Sequence, residues 1–133
     1  MSAQTSQRIR LGVTIVLVAY WLTLFISTHI PMPDLGDLPD HSDKVMHFVA
    51  YAGLSLLLGI RWSLMSPLTW RARIIIFSIT VGYAVIDELL QTIPALHRTG
   101  DIYDVLADAC GSLIGLMLLV IIQPVTNRLR KRL

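Results

Sequence analysis

Four apolar stretches, each long enough to cross a lipid bilayer as a helix, constrain this sequence more than any other feature. They run at about residues 11–30, 43–60, 72–93 and 104–122, and a crossing helix needs about 20 residues. Strands of a transmembrane barrel are only about 10 residues long, and other lipid-exposed backbone finds no water to satisfy its hydrogen bonds. The sequence therefore predicts an all-α fold, an integral membrane bundle of four transmembrane helices that forms one domain over residues 1–133.

Composition supports a membrane protein and excludes two kinds of site. Hydrophobic residues make up 54% of the chain and charged residues 15%, and the mean hydropathy is +0.64, which is more apolar than an ordinary soluble domain. Cys110 is the single cysteine. The sequence therefore excludes an intrachain disulfide and a cysteine-based zinc site.

The ends of the spans carry further signals. The first span follows Arg8 and Arg10 and resembles a secretory signal, but no small-residue cleavage site follows it, so we interpret it as a retained helix. Pro94 and Pro124 are predicted to close the third and fourth helices, because a proline disfavours a helical residue before it.

Basic residues predict the orientation of the bundle, because cytoplasmic loops are enriched in Lys and Arg. In a four-span arrangement only Lys44 and Arg98 fall on the side opposite the other basic residues. Both termini are therefore predicted to be cytoplasmic, and residues 29–44 and 95–101 extracytoplasmic. The basic C-terminal run fits this topology and contact with anionic headgroups, so we expect membrane lipid and no nucleic acid as a partner.

All the acidic residues lie on the predicted extracytoplasmic side or in the outer halves of the helices. Asp34, Asp37 and Asp40 stand among Pro and Gly and are explained as solvated turn residues. Asp87 and Glu88 differ, because Asp87 lies roughly 10 Å below the predicted end of its helix. A charge at the centre of a span costs roughly 2.5–3.5 kcal/mol, so both carboxylates are expected to have partners.

Helical spacing nominates those partners, since residues three or four apart share a face. The fourth helix also carries Gly111 and Gly115 in a G-x-x-x-G pattern, which permits close approach of another helix. Three polar rows lie at the outer ends of their helices: Asp43, His47 and Tyr51 on the second, Asp87 and Gln91 on the third, and Asp104, Asp108 and Gly111 on the fourth.

Three ordered blocks over about residues 43–115, "DKVMHFVAY", "DELLQ" and "RTGDIYDVLADACGSLIG", resemble the motifs of VanZ-like membrane proteins. The matching patterns are D-K-x-x-H followed by Tyr, D-E-x-x-Q, and Arg followed by D-x-x-x-N-x-x-G. Asp108 departs from the family, which usually has Asn at that place. The resemblance implies a four-helix membrane protein of the bacterial cell envelope, in the cytoplasmic (inner) membrane. The name-giving member is associated with resistance to the glycopeptide teicoplanin.

The candidate site combines these residues. His47 beside Asp43 is a plausible general base oriented by a carboxylate, so His47, Asp87 and Glu88 are the candidate catalytic residues. Lys44 and Arg98 are expected to neutralise carboxylates or contact an anionic headgroup. The candidate ligand-binding residues are Asp43, Lys44, Tyr51, Gln91, Arg98, Asp104 and Asp108.

Three functional classes stay open. The favoured one is a binding site for a lipid-linked envelope intermediate or a lipophilic antibiotic tail. The second is an enzyme that acts on a lipid-linked envelope substrate, and the third is a buried charge lock in a protein that serves a partner protein or forms a homo-oligomer. Acidic groups with one His are also suited to a divalent cation, so the sequence leaves the metal and any cofactor open.

Overall fold

Four helices make up the fold. The computed structural model describes residues 3–30, 42–93 and 100–133, and these residues contain no strand. The helices are α1 (Ala3–His29), α2 (Ser42–Ser63), α3 (Trp70–Gln91) and α4 (Ile102–Arg132). Each is long and apolar enough to cross a membrane, which confirms the predicted all-α bundle and makes the chain a multi-pass membrane protein. The predicted extracytoplasmic loop segments at 31–41 and 94–99, with Asp34, Asp37, Asp40, Pro94 and Arg98, lie outside the described residues.

The observed helix ends differ from the predicted ones by a few residues at most sites. α1 begins about eight residues earlier than expected, at Ala3, because the polar segment before its apolar run contains neither Gly nor Pro. α2 continues to Ser63. α3 begins after Thr69, whose hydroxyl accepts a hydrogen bond from the amide of Ala72 as an N-cap. It ends at Gln91, two residues before the predicted end.

The prediction that Pro124 closes the fourth helix is wrong. Pro124 lies inside α4, which continues to Arg132. A proline removes one backbone hydrogen bond, but ending the helix there would free several more carbonyls and amides. Continuing the helix keeps the remaining groups paired, which is why membrane helices tolerate proline better than the soluble-protein rule suggests.

The surface of the bundle is apolar and its interior is partly polar. Large apolar side chains on all four helices are exposed, among them Ile15, Val49, Ile86 and Ile121. Such a surface is expected where lipid replaces water. Two buried apolar groups form the core. One contains Leu68, Ala72, Ile76, Leu116 and Leu119, and the other contains Leu17, Tyr51, Leu54 and Ala84.

The close contact between α2 and α4 depends on two glycines, as the G-x-x-x-G pattern predicts. A side chain at Gly111 would collide with the backbone carbonyl of Phe48, and one at Gly115 with Ala52 and Ser55. The hydroxyl of Ser55 in turn donates to the carbonyl of residue 112 across the same interface, at 2.9 Å. This packing fixes α4 against α2 just below their polar ends.

Basic residues at the other end of the bundle also bond between helices. Arg61 Nε of α2 donates to Thr14 Oγ1 of α1 at 2.6 Å. Arg73 of α3 donates to Gln123 Oε1 of α4 at 3.1 Å. Arg61 and Arg73 therefore lie at the end opposite the acidic residues, as the predicted topology requires.

Candidate functional site

Lys44 joins the first turns of α2 and α4. Its Nζ donates to Asp43 Oδ2 at 3.2 Å, Asp101 Oδ2 at 3.0 Å and Asp104 Oδ1 at 3.3 Å. Asp101 is also the N-cap of α4, because its Oδ1 accepts from the amide of Tyr103 at 2.9 Å. These two interactions, first the Tyr103 amide and then the Lys44 ammonium, lower the pKa of Asp101 below its ordinary value.

His47 lies one turn deeper on α2 and faces two acids of α4. Its Nδ1 is 3.1 Å from Asp108 Oδ1, and its Nε2 is 3.9 Å from Asp104 Oδ2. Asp108 is 1% exposed and Asp104 is 8% exposed, so the histidine shields both carboxylates. An ionised Asp108 only accepts, and opposite it Nδ1 of His47 carries the proton of the shorter contact.

The two carboxylates of "DELL" point to different neighbours. Glu88 Oε2 accepts from the backbone amide of Asp101 at 2.8 Å. Asp87 Oδ1 accepts from the hydroxyl of Thr28 at 3.1 Å and is 3.7 Å from Nδ1 of His29. Gln91 bridges the pair with its amide, 3.3 Å from Asp87 Oδ2 and 3.4 Å from Glu88 Oε1. α3 is therefore connected to both α1 and α4.

Tyr51 lies one helical turn after His47 on α2, deeper in the bundle. Its side chain is 2% exposed, and its hydroxyl has no hydrogen-bond partner within the described part of the chain. The hydroxyl lies within electrostatic reach of Asp108, Asp87 and Glu88. Its ring stacks on Tyr83, with ring centroids 5.9 Å apart. The cluster therefore includes a buried hydroxyl that has no partner among the described residues.

The predicted site residues are brought together except for one that lies outside the described residues, Arg98. Hydrogen bonds connect Lys44 through Asp101 to Glu88, and Gln91 then links Glu88 to Asp87. His47 Nε2 is 3.9 Å from Asp104, which Lys44 also contacts. Asp43 lies at its rim, with its side chain 49% exposed. We name this set the outer polar cluster, and its members are Asp43, Lys44, His47, Tyr51, Asp87, Glu88, Gln91, Asp101, Asp104 and Asp108 together with Thr28 and His29.

Three members of the cluster were not predicted from the sequence. Thr28 and His29 end α1, whose apolar run shows no polar row to mark a buried face. Asp101 carried a usable signal, because an Asp directly before a helical stretch is a preferred N-cap. Its bond to Lys44 depends on how α2 and α4 pack and could not be read from spacing.

The cluster contains a group suited to holding a metal ion. His47, Glu88 and Asp104 each offer one ligand atom, and these atoms lie within 4.8 Å of one another. The residues come from α2, α3 and α4, so the convergence is a property of the packed bundle. The same histidine, held at Nδ1 by Asp108, is also placed as an acid or base.

An apolar groove between α1 and α3 lies next to the cluster, because Phe25 of its lining contacts His29. Its volume is about 350 Å³, and its lining is almost entirely apolar. Phe25 of the groove lies closest in sequence to the C-terminal end of α1, and its ring stacks on that of His29 with centroids 4.2 Å apart. The lining residues are Val18, Trp21, Leu22, Phe25 and Tyr83.

Comparison with known proteins agrees with the motifs. A family model described as VanZ/LLP1 matches residues 3–123. The chain belongs to the VanZ/LLP1 family. The match covers all of α1, α2 and α3 and most of α4, so it includes every member of the outer polar cluster of this VanZ/LLP1 protein. No curated protein and no solved structure matches the chain.

Proposed function

We propose that this VanZ/LLP1 protein binds a membrane amphiphile, with the polar head at the outer polar cluster and the apolar chain in the groove between α1 and α3. The continuity of the two features carries the proposal. Phe25 lines the groove and stacks on His29, and His29 is 3.7 Å from Asp87. On α3, Tyr83 of the groove lies one turn from Asp87. An acyl chain in the groove would therefore place its headgroup beside the buried carboxylates.

The chemistry of the groove favours an amphiphile over a water-soluble ligand. Val18, Leu22 and Phe25 recur at helical spacing on one face of α1, and Trp21 and Tyr83 meet edge to face, with centroids 5.2 Å apart. Apolar walls give a water-soluble ligand nothing to bond, whereas packing contacts hold a hydrocarbon chain. Polar groups at one end then select the headgroup.

The setting that we propose is the cytoplasmic membrane of a bacterium, with the cluster on the extracytoplasmic side. The asymmetry of Lys and Arg supports this orientation. Ligands of that membrane face with one apolar chain and a large polar head include lipid-linked envelope intermediates and lipoglycopeptides such as teicoplanin. Binding of such a ligand would connect the cluster to glycopeptide tolerance.

Two other functions have support within the cluster. Each buried carboxylate has at least one partner, which favours a charge lock that only holds the helices together. The contact between His47 and Asp108 resembles a histidine oriented for acid or base chemistry, which favours an enzyme on a lipid-linked substrate. Neither the charge lock nor the enzyme requires the groove. Substitutions in the groove therefore distinguish these two functions from amphiphile binding, which they should abolish.

The experiment compares lipids that copurify with two tryptophan variants. Leu22→Trp fills the groove, whereas Val16→Trp adds the same bulk at an exposed position on a different face of α1. Mass spectrometry of the gently solubilised protein should find a lipid or lipid-linked class enriched over the bulk membrane in wild type and Val16→Trp. Leu22→Trp should lose this enrichment. Equal lipid content in both variants would overturn the proposal.

Isosteric substitutions in the cluster test whether its acids serve function or folding. Asp87→Asn and Glu88→Gln remove charge while they keep shape, which removes a desolvation cost in the membrane. We expect both variants to insert and remain monodisperse but to lose an envelope phenotype such as glycopeptide tolerance. Loss of abundance and phenotype together would favour the charge lock. Full retention of both would remove these residues from the site.

A further inference from the structure

We infer that His47, Glu88 and Asp104 form a binding site for a divalent transition-metal ion such as Zn²⁺ or Mn²⁺. One ligand atom of each residue lies within 4.8 Å of the others, and the three residues come from three different helices. Imidazole nitrogen suits zinc and related metals, and carboxylate oxygens suit Mn²⁺ as well as Zn²⁺. Three protein ligands leave coordination positions free for water or for a second ligand.

Each proposed ligand residue is held in place by a neighbour through another atom. Asp108 holds Nδ1 of His47 at 3.1 Å, so Nε2 is left free to bind the ion. Lys44 holds Oδ1 of Asp104 at 3.3 Å, which leaves Oδ2, the oxygen that is 3.9 Å from His47 Nε2. Carboxylates that orient metal-binding histidines in this way are a regular feature of metal sites.

Glu88 follows the same pattern. Its Oε2 accepts from the backbone amide of Asp101 at 2.8 Å, whereas Oε1 has only a long contact of 3.4 Å with Gln91 among the described residues. The less engaged oxygen is therefore available to an ion. The three ligand residues are fixed before any ion binds, which reduces the entropy lost on binding.

The hydroxyl of Tyr51 is an independent sign that a ligand belongs in this cluster. It is buried and unpartnered among the described residues, and it lies in the field of Asp108, Asp87 and Glu88. A buried hydroxyl without a partner is costly. A water molecule held by the ion would supply the missing hydrogen bond from above.

The charge balance also calls for a cation. Within the described residues, Lys44 is the one lysine or arginine that forms an ion pair with the acids of the cluster, and of the buried acids it contacts Asp104 alone. The buried carboxylates are Asp87, Glu88, Asp104 and Asp108. Because uncompensated charge is expensive inside a membrane protein, a divalent ion would stabilise the cluster.

The test measures binding of Co²⁺, with Zn²⁺ as competitor, by tag-free protein in lipid-free detergent. A Cys110→Ser background removes the exposed thiol, which would otherwise bind these metals. We expect one equivalent of Co²⁺ to bind, with an absorption spectrum that Zn²⁺ abolishes. His47→Gln and Glu88→Gln should weaken binding at least about tenfold. Gln123→Leu is the control, since it removes a polar side chain that bonds between α3 and α4 at the opposite end of the bundle.

Two results would overturn the inference. One is a folded, monodisperse wild type that binds no stoichiometric Co²⁺, which decides the matter even if a variant fails to fold. The other is equal affinity in His47→Gln and in the control Gln123→Leu. Because the measurement contains no lipid, its outcome is independent of the proposed amphiphile and of the groove variants.

Discussion

The ring of His47 and the carboxylate of Asp108 meet at 3.1 Å near the N-terminal ends of α2 and α4. The contact lies just above Gly111, where α4 touches the backbone of Phe48. Close packing of the two helices therefore places the acid against the histidine. Spacing alone assigns His47 and Asp108 to two separate helices. The two residues form one hydrogen-bonded pair because Gly111 has no side chain to hold the helices apart.

Orientation of the bundle is the first prediction. With both termini cytoplasmic, single cysteines at residues 36 and 99, in a Cys110→Ser background, should react with a membrane-impermeant thiol reagent added to intact cells. Ser66→Cys, in the exposed connection between α2 and α3, is the matched control and should react only after lysis. Labelling of Ser66→Cys in intact cells, or protection of the other two, would contradict the topology.

The glycine contact gives the second prediction. Gly111→Ala places a methyl group against the carbonyl of Phe48, which is backbone and unable to swing aside. We expect the free energy of unfolding to fall by about 1–3 kcal/mol. Gly82→Ala is the matched control, because a side chain there meets nothing within 4 Å. It should leave stability unchanged or raise it by up to about 1 kcal/mol, since alanine is the better helix former. Equal thermal stability of the two variants in detergent would contradict the prediction. It would show that α2 and α4 can move apart to accommodate a side chain at residue 111 at little cost.

Periodicity predicted most of the site because the relevant residues repeat on single helices. His47 and Tyr51 lie one turn apart, and both are directed into the bundle. Asp104 and Asp108 behave in the same way on α4. Residues four positions apart share one face of a regular helix. When one member of each pair faces the interior, the other does so as well.

Contacts that depend on how helices rotate against each other could not be predicted. α1 is apolar on all sides and buries little of its surface, so no sequence pattern indicates that Thr28 and His29 face Asp87. Asp43 shares a row with His47, and its place at the rim of the cluster, bonded to Lys44, also could not be predicted from that row.

The contact of α1 with the cluster gives the third prediction. Thr28→Val removes the hydroxyl that donates to Asp87 Oδ1 at 3.1 Å, and a buried carboxylate that loses a donor costs about 1–3 kcal/mol. Thr23→Val is the matched control, because its hydroxyl is exposed and bonds only the backbone of its own helix. Thermal unfolding in detergent should separate the two variants, with Thr28→Val the less stable. The reverse order would exclude a stabilising bond between Thr28 and Asp87.

The fourth prediction concerns acid pH and Asp101. The Tyr103 amide and the Lys44 ammonium lower the pKa of Asp101 in the folded protein, so its charge stabilises the fold above the unfolded pKa of about 3.9. This contribution is lost as pH falls through the lower folded pKa. Asp101→Asn keeps a good N-cap and removes the charge. The melting temperature of wild type should therefore exceed that of Asp101→Asn at neutral pH and converge with it in acid.

Asp101→Ala serves as the comparison for that measurement, because it removes the cap as well as the charge. Its melting temperature should stay below that of Asp101→Asn at every pH. A difference between wild type and Asp101→Asn that does not change with pH would exclude the bond between Lys44 and Asp101 as a source of stability.

The last prediction concerns His47 and Asp108, the position at which the VanZ-like motif that the sequence resembles has asparagine. Asp108→Asn keeps an oxygen that accepts from Nδ1 of His47, and removal of a buried charge lowers the cost of desolvation, so the free energy of unfolding should change by less than about 1 kcal/mol. Asp108→Leu has similar bulk but no acceptor, and should cost about 1–3 kcal/mol because the Nδ1–H loses its partner. Thermal unfolding of both variants in detergent measures the difference. If Asp108→Asn is as unstable as Asp108→Leu, the negative charge itself holds the histidine, and this chain depends on an ion pair where an amide would not suffice.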